Sequence, residues 1–227
     1  MAEAEAEKYS IGPSGEKRLK GAQFSFPIIT GTLAFSLGKK ASEYATHRWT
    51  VYLRSPTGED LTHILKKVTF ELHSSFDNPN RDITHAPYEL TESGWGEFDI
   101  VIKLHFHDDA MEPPLELYHH LQLGLDANGN PSKNPKPHLY EIYEDIVMWE
   151  PTEAFYQRVK NHIPQLAQPS QMAQYYGKFD PVTDYARVQN ARKRLAPVTA
   201  NLKASLATLL AEEEAAGGGS AVGMDMS

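Results

Sequence analysis

Cysteine is absent from all 227 residues of the chain. This absence excludes a disulfide framework, a cysteine-ligated zinc finger and a thiol nucleophile, and it is consistent with a reducing compartment. The sequence also lacks any apolar run of about 18 residues, and its mean hydropathy is -0.49, so we predict no membrane span. The opening residues MAEAEAEKYS contain no apolar stretch, which predicts that no secretory signal is present.

Positive charge is scarce in the middle of the chain. Residues 21–160 carry twenty acids and twelve bases, whereas residues 1–20 carry four of each and residues 161–227 carry six of each. The formal net charge of -8 therefore lies on the central segment. An acidic domain repels a phosphate backbone and favours a basic peptide, so we expect no direct specific binding of nucleic acid. A charge that serves solubility alone is the alternative interpretation.

Alternating apolar residues are the main pattern of the central segment. The strongest apolar stripes are Trp49, Val51 and Leu53, then Val68, Phe70 and Leu72, and then Phe98, Ile100, Ile102, Leu104 and Phe106. Weaker alternation covers Leu115–Leu125 and Leu139–Val147, with a loop rich in proline and asparagine over Asp126–His138. About six to eight short strands with such turns predict an all-β fold, an immunoglobulin-like antiparallel β-sandwich.

The pattern becomes helical after residue 150. Pro151 suits the first turn of a helix in which Phe155, Val159 and Ile163 lie about one turn apart. Farther along, a stripe with helical spacing consists of Leu195, Val198, Leu202, Leu206 and Leu209. Pro197 lies inside this stretch and predicts either a kink or the start of a second helix.

These patterns divide the chain into five predicted segments. They are a flexible N-terminal segment (1–16), the β-sandwich (17–160), a proline-broken connection (161–182), a helical segment (183–214) and a disordered tail (215–227). An amphipathic helix attached to a sandwich either folds back on its own domain or docks on another protein. We expect docking, because the helix follows a long connection broken by proline.

Two motifs stand where strands run into loops. One is Leu72–Phe76, with the sequence LHSSF, and the other is Glu92–Phe98, with the sequence ESGWGEF. Glycines on both sides of Trp95 free the backbone and clear side chains from the ring, which would let the indole stand at the rim of a groove. A tryptophan that packs back on the core is the alternative.

Three motifs in order closely resemble the YEATS domain: THRWTVY at 46–52, KKVTFELHSSF at 66–76 and APYELTESGWGEF at 86–98. The resemblance extends over about residues 17–160, and EPTE at 150–153 looks like the end of the domain. The segment Gly94–Phe98 and the C-terminal helix resemble the subfamily shared by SWR-type chromatin remodellers and NuA4-type histone acetyltransferase complexes, in which the C-terminal segment attaches to those complexes.

The resemblance implies a nuclear protein that binds acylated (acetylated or crotonylated) lysine on histone tails. It also implies no enzymatic activity, no cofactor and no metal, and it implies that the C-terminal helix binds subunits of the two complexes. The residues to which the resemblance assigns acyl-lysine binding are His47, His73, Ser75, Phe76, Gly94, Trp95, Gly96 and Phe98.

Within this set, the resemblance implies that Phe76 and Trp95 form two aromatic walls and that Ser75 hydrogen-bonds the acyl amide. His73 would position Ser75, and His47 would contact the acyl end from the opposing loop.

The backbone of Trp95, flanked by Gly94 and Gly96, would meet the acyl carbonyl, and Phe98 would support the floor of the pocket. The sequence departs from the family at Ser74, where relatives often carry an acid. Phe76 stands where some relatives carry tyrosine, which would stack in the same way. Acids near the pocket, such as Glu92 and Glu97, are candidates for contacts to the peptide on either side of the lysine.

Other functions remain open from the sequence. Aromatic residues in an acidic domain also suit a cage for methylated lysine or arginine, and a scaffold that only joins subunits would conserve the same fold. A metal enzyme is a further alternative, because several histidines and an acid have ligand-like spacing: His105, His107, Asp108, His119 and His120.

His73 beside Ser75 could also indicate an activated nucleophile, although the sequence offers no third member for it. Two short basic runs, Lys66–Lys67 and 192–194, are expected to be solvated faces, with a nuclear signal or a DNA contact as the alternative.

Overall fold

Two four-stranded antiparallel sheets form the centre of the first compact unit of the protein, whose computed structural model describes residues 8–126, 129, 136–177 and 181–217. The first sheet contains, in spatial order, β10 (His138–Trp149), β3 (Gln23–Ser36), β4 (His47–Arg54) and β7 (Tyr88–Gly94). The second sheet contains β6 (Asn80–Ile83), β5 (Leu65–Glu71), β8 (Asp99–Phe106) and β9 (Leu115–His120). The predicted all-β class and the immunoglobulin-like antiparallel sandwich are confirmed.

The core lies between the two sheets and contains the predicted apolar stripes. Trp49 and Val51 of β4 are fully buried, as are Val68 of β5 and Ile102 of β8. Their side chains point inward because alternate residues of a strand face the same side. Each such side chain contributes about 1.5–3 kcal/mol to folding, so the register of both sheets is fixed by the sequence alternation.

The N-terminal segment differs from its prediction. Instead of a flexible lead-in over 1–16, residues Tyr9–Ile11 form strand β1, which pairs with β2 (Lys17–Leu19). This hairpin is held by contacts distant in sequence: Lys8 lies 3.0 Å from Glu153, and the Ser10 hydroxyl donates to Glu150. Residues 1–7 of the predicted segment lie outside the described residues.

A short helix, α1 (Glu153–Lys160), follows β10. Thr152 is its N-cap and accepts a hydrogen bond from the Phe155 N–H at 3.3 Å. Pro151 therefore precedes the cap rather than lying in the first helical turn, which corrects the sequence prediction. Phe155 and Val159 are buried as expected, but Ile163 is 77% exposed because the helix ends before it.

Other strand predictions need adjustment at their ends. Strand β9 ends at His120, although Leu121 and Leu123 beyond it are still buried in the core. Much of the predicted loop 126–138 lies outside the described residues, and β10 begins at its last residue, His138.

The second compact unit of the chain, residues 178–227, contains one long helix, α2 (Pro181–Gly217). Pro197 lies within this single helix, so it does not start a second one. The five residues of the predicted apolar stripe are each more than half exposed. Neither described helix combines the length and apolar character that a membrane span requires. The last ten residues of the predicted tail, 218–227, are outside the described residues.

Strand β9 brings a histidine into the core. His119 is fully buried, and its two ring nitrogens lie 3.2 and 3.3 Å from the hydroxyls of Thr30 and Thr32. Burial lowers the pKa of His119 to about 4, because a charged imidazolium cannot be solvated there. In the unfolded chain the imidazole of His119 has a pKa of about 6.5.

We predict that this histidine makes the fold acid-sensitive. Below about pH 6.5 His119 binds a proton in the unfolded state but not in the folded state. The free energy of unfolding therefore decreases as the pH is lowered, by up to about 1.4 kcal/mol per pH unit, until about pH 4. His119→Gln, which can still hydrogen-bond both threonines, should flatten this dependence. Urea unfolding across that range measures it. The matched control is His120→Gln at the half-exposed neighbouring residue, and equal pH slopes in wild type and His119→Gln would contradict the prediction.

Candidate binding site

Three loops meet at one end of the sandwich. Strands β4 and β7 pair with His47 opposite Gly94, so the loop before β4 lies beside the loop that follows β7. Strands β5 and β8 pair with Glu71 opposite Val101, so the loop after β5 lies near the start of β8. The connection 95–98 crosses from the first sheet to the second, and it brings the two sequence motifs together.

A cleft of about 550 Å³ opens between these loops. Its lining residues are Tyr44, His73, Ser75, Phe76, Ser93, Gly94, Trp95, Gly96, Glu97 and Phe98. Seven of the eight residues proposed from the sequence are therefore in one cleft. The exception is His47, which does not line it.

The back of the cleft is an aromatic cluster from both sheets. The Trp49 indole is fully buried and meets the rings of Phe76 and Phe98 edge-on, with both centroids 5.9 Å away. Phe76 and Phe98 also contact each other, with centroids 5.6 Å apart. Such edge-to-face contacts add about 0.5–1.5 kcal/mol each to the burial energy. The cluster therefore fixes the Phe76 ring that the cleft exposes.

The Trp95 side chain faces solvent. It is 63% exposed, whereas Phe76 is only partly exposed. The alternative that Trp95 packs back on the core is therefore wrong. Its ring offers an apolar surface at the rim of the cleft, which would be covered by a ligand.

His73 and Ser75 form a hydrogen-bonded pair at the edge of the cleft. The Ser75 N–H donates to His73 Nδ1 at 3.2 Å, so that nitrogen is an acceptor and carries no proton. The Ser75 hydroxyl lies 2.9 Å from the same nitrogen and must donate its proton to it. The lone pairs of Ser75 Oγ are then left to accept a hydrogen bond from a ligand.

The two glycines beside Trp95 do not serve the backbone as the sequence suggested. Neither Gly94 nor Gly96 has a positive φ, so other residues could adopt both conformations. Space is not tight at either position. A Cβ at Gly94 would lie 3.4 Å from the Trp49 indole nitrogen and 3.8 Å from Phe76, whereas a Cβ at Gly96 would meet nothing within 4 Å.

His47 is buried at the start of β4 instead of facing the cleft from a loop. Its Nδ1 lies 2.9 Å from the Thr46 hydroxyl. Burial lowers the pKa of His47, so it is neutral near pH 7. The predicted contact of His47 with a ligand is therefore corrected: the residue supports the loop through Thr46, whose N–H donates to the Gly94 carbonyl at 3.1 Å.

The two acids near the cleft have partners within the protein. Glu92 lies 2.9 Å from the Arg81 guanidinium, and Glu97 accepts a hydrogen bond from the Leu123 N–H at 2.7 Å. These contacts give both carboxylates a structural role, and only Glu97 lines the cleft.

Sequence reasoning missed Tyr44 and the role of Trp49. Tyr44 is 75% exposed and lines the cleft from the loop before β4. An aromatic residue three positions before His47, in a segment without periodicity, was the only signal for it. Trp49 was identified as a core residue, but its contact with Phe76 depends on two loops that the alternation does not describe.

The histidines with ligand-like spacing do not converge on one point. His105 and His107 hydrogen-bond Thr69 and the Thr62 carbonyl, respectively. His119 contacts two threonines, while His120 lies 2.7 Å from Asp99. Since each ring has its own partner, the geometry gives no support to a metal enzyme at these residues.

An immunoglobulin-like sandwich whose loop end holds an aromatic cleft and a serine with acceptor capacity has the features of a small ligand-binding module. Comparison with known protein families identifies the family of the chain. The YEATS family matches residues 44–125, which include all three loops of the cleft. Together with the relatives below, this match shows that the chain belongs to the YEATS family.

Two relatives illustrate the similarity. The chain is 50% identical over 154 residues to transcription initiation factor TFIID subunit 14b of Arabidopsis thaliana, covering 68% of this chain and 57% of that protein. It is 38% identical over 154 residues to the protein AF-9 homolog of Eremothecium gossypii, covering 66% of this chain and 74% of that protein. The match thus spans little more than half the length of the first relative.

Solved structures of the yeast AF-9 homolog, Yaf9, have the same fold. The Yaf9 YEATS domain bound to H3K27ac is 38% identical and superposes with a TM-score of 0.56, covering 64% of this chain and 99% of that one. The Yaf9 YEATS domain recognising an H3K122suc peptide superposes with a TM-score of 0.52 at the same identity.

The different environments of Trp49 and Trp95 lead to a stability prediction. Trp49→Ala removes a fully buried indole and should lower the free energy of unfolding by about 3–5 kcal/mol. Trp95→Ala removes an exposed ring and should change it by less than about 0.5 kcal/mol. Urea unfolding followed by far-UV circular dichroism measures both. A Trp95→Ala protein as unstable as Trp49→Ala would show that the cleft wall is part of the core.

Proposed function

We propose that this protein binds acylated lysine on histone tails through the cleft between its three loops. The observation that carries this proposal is the combination of two aromatic side chains that line the cleft, Phe76 and Trp95, with a serine hydroxyl whose proton is already donated to His73. Each feature matches one part of an acylated lysine side chain.

Acylation changes lysine in a way that suits this cleft. It removes the charge and leaves a planar amide, which can lie against the faces of Phe76 and Trp95 and gain dispersion energy. The amide N–H and C=O lose water on entry, and each would cost about 1–3 kcal/mol if left without a partner. Ser75 Oγ can accept from the N–H, and the backbone near Trp95 can donate to the carbonyl.

Unmodified lysine is disfavoured by the same surroundings. An ammonium group would have to leave water for a cleft lined mainly by rings and backbone, at a cost of several kcal/mol unless a charge compensates. The one carboxylate in the lining, Glu97, keeps its charge but is held by the Leu123 N–H, so it offsets only part of that cost. Selectivity thus arises from rejection of the charged form as much as from attraction of the neutral one.

The charge of the sandwich favours a basic peptide. The excess of acids falls on residues 21–160, which contain the whole cleft. A histone tail is basic, so its association should be steered electrostatically and should slow with added salt. The related Yaf9 domain binds H3K27ac, whose neutral acetyl amide agrees with this chemistry. It also recognises an H3K122suc peptide, whose succinyl group has the same amide but ends in a carboxylate.

A cage for methylated lysine is the second candidate, and Tyr44 favours it. With Tyr44, Phe76 and Trp95 in one cleft, three aromatic residues are available near an acid, Glu97. Such a cage binds a cation through ring faces and needs no hydrogen-bond acceptor. The His73–Ser75 pair would have no function in it, so we favour the acyl-lysine reader.

The peptide test is direct. We predict that Trp95→Ala weakens binding of an acetylated histone H3 peptide by at least about thirtyfold, about 2 kcal/mol, because the ring contributes one of the two apolar walls. Fluorescence polarisation with acetylated, crotonylated, methylated and unmodified peptides measures it. We expect about micromolar affinity for the acylated peptides alone.

Trp149→Ala is the matched control, since this tryptophan is equally exposed, at 65% against 63%, and lies on β10 outside the cleft. It should leave peptide affinity unchanged. Undiminished peptide binding by Trp95→Ala would exclude the cleft as the binding site. A preference for the methylated peptide would instead favour the methyl-lysine cage over the acyl-lysine reader.

We also propose a role for the protein as a whole. We infer that it is a nuclear, non-enzymatic subunit of SWR-type remodelling or NuA4-type acetyltransferase complexes, joined to them by α2. The exposed leucines of α2 support this, because an apolar helix face without a partner is stabilised by docking. Attachment would also offset the weak affinity of a small cleft by raising the local concentration of histone tails.

Removing residues 183–227 should therefore leave peptide affinity unchanged and abolish co-purification with large partners. Two further variants retain α2 and change only side chains on its surface. The first triple variant introduces serine into the apolar stripe: Leu202→Ser, Leu206→Ser and Leu209→Ser. The second introduces serine on the opposite side of the helix: Ala204→Ser, Ala207→Ser and Ala211→Ser. Mass spectrometry of tagged protein from nuclear extract should show loss of partners only for the first triple variant. Equal recovery of partners with both triples would refute docking through this stripe.

A further inference from the structure

Three side chains with metal-ligating atoms meet far from the cleft. They are Glu59, His63 and His162, and one ligating atom from each lies within 4.8 Å of the other two. Among the described residues this is the one group of its kind. Glu59 and His63 belong to the connection between β4 and β5, while His162 follows α1 directly. All three side chains are partly buried.

The hydrogen bonds of His63 prepare it as a ligand. Its Nδ1 lies 2.8 Å from the Asp60 carbonyl oxygen, which can only accept, so Nδ1 carries the proton. Nε2 is then left with its lone pair and faces Glu59 Oε1 at 3.8 Å, beyond hydrogen-bond distance. A backbone carbonyl that holds the distal N–H is the usual support of a metal-bound histidine.

The second histidine has an unsatisfied atom. His162 Nε2 is buried and has no hydrogen-bond partner in the described protein. Its ring stacks on that of His63, with centroids 3.7 Å apart and planes 4° from parallel. A buried nitrogen without a partner costs about 1–3 kcal/mol, and a bound cation would remove this cost.

We propose that Glu59, His63 and His162 bind a divalent transition-metal ion, with zinc as the best match. Two imidazoles and one carboxylate are a common zinc ligand set, with water as the fourth ligand. Magnesium and calcium prefer sets made of oxygen atoms. Zinc ligands at about 2.0–2.2 Å lie about 3.4 Å apart in a tetrahedron, so ligating atoms that now lie within 4.8 Å of one another must approach by up to about 1.4 Å. Because the two rings are stacked, one of them must also rotate out of the stack to direct its lone pair at the ion. The Glu59 side chain is 30% exposed and has room to move.

Such an ion would fasten the chain where it leaves the sandwich. The same two segments already pair through an isolated bridge between Glu59 and Leu166, with the Asp60 N–H donating to the Gln165 carbonyl at 2.8 Å. The ion would add a cross-link from the β4–β5 connection to His162, at the start of the segment that leads toward α2. Binding only to the folded protein would raise the stability of the sandwich.

The test uses the full-length chain without an affinity tag, and the absence of cysteine removes competing thiolates. Zinc is titrated against a chromogenic chelator, and thermal unfolding is followed with and without the ion. We expect one zinc ion per chain with a Kd below about 10 μM, a rise in Tm, and a Co²⁺ adduct with the visible absorption of tetrahedral coordination. Magnesium should have no effect.

His162→Ala and Glu59→Gln should each weaken zinc binding at least tenfold, by about 1.4 kcal/mol. His120→Ala, which removes an exposed histidine beside an acid, is the matched control and should bind zinc as wild type does. Far-UV circular dichroism verifies that each variant folds, and Glu59→Gln, which keeps the side-chain size, tests the site should His162→Ala not fold. Absence of saturable binding, or equal affinity in wild type and both variants, would overturn the proposal and leave an adventitious ion only.

Discussion

The packing of one indole ties the two sheets together at the end that carries the cleft. Trp49 belongs to β4 of the first sheet, whereas Phe98 immediately precedes β8 of the second sheet and Phe76 lies in the loop after β5. The three rings contact one another in a single cluster. Because interiors are close-packed and tolerate little displacement, the cluster sets the spacing of the loops, and the loops in turn set the width of the cleft.

One part of the cleft lining is held in place by neighbouring side chains, and another part is exposed to solvent. Phe76 is held by the cluster, and Ser75 is held by His73 through two hydrogen bonds to one nitrogen. Trp95 makes no ring contact of that kind with the described residues and faces solvent. A ligand that fits the fixed part therefore finds its hydrogen-bond partner preorganised. The exposed indole then adds apolar area, which gains energy only when the ligand covers it.

The sequence predicts those features of the molecule that depend on local pattern. Alternation over Val68–Leu72 and Ile100–Phe106 identifies strands because one face must be buried, and the motif around Trp95 identifies a cleft wall by family resemblance. Features that depend on contacts between residues distant in sequence cannot be predicted from local pattern. Strand β1 exists because its side chains reach Glu150 and Glu153, and Tyr44 joins the cleft because its loop lies beside Gly94.

Charge and hydrophobicity are separated along the chain, and under the proposed function this separation explains how a weak site would be useful. The acids are concentrated in the sandwich, where they favour the approach of a basic peptide, while exposed leucines are concentrated in α2. A small cleft cannot bury enough area for tight binding on its own. If a second module on the same chain attaches to an assembly that holds nucleosomes, the cleft meets tails at an effective concentration near its own Kd. Under the proposed function its occupancy would then follow the acylation state of the tail, because rejection of the ammonium costs the same at any concentration.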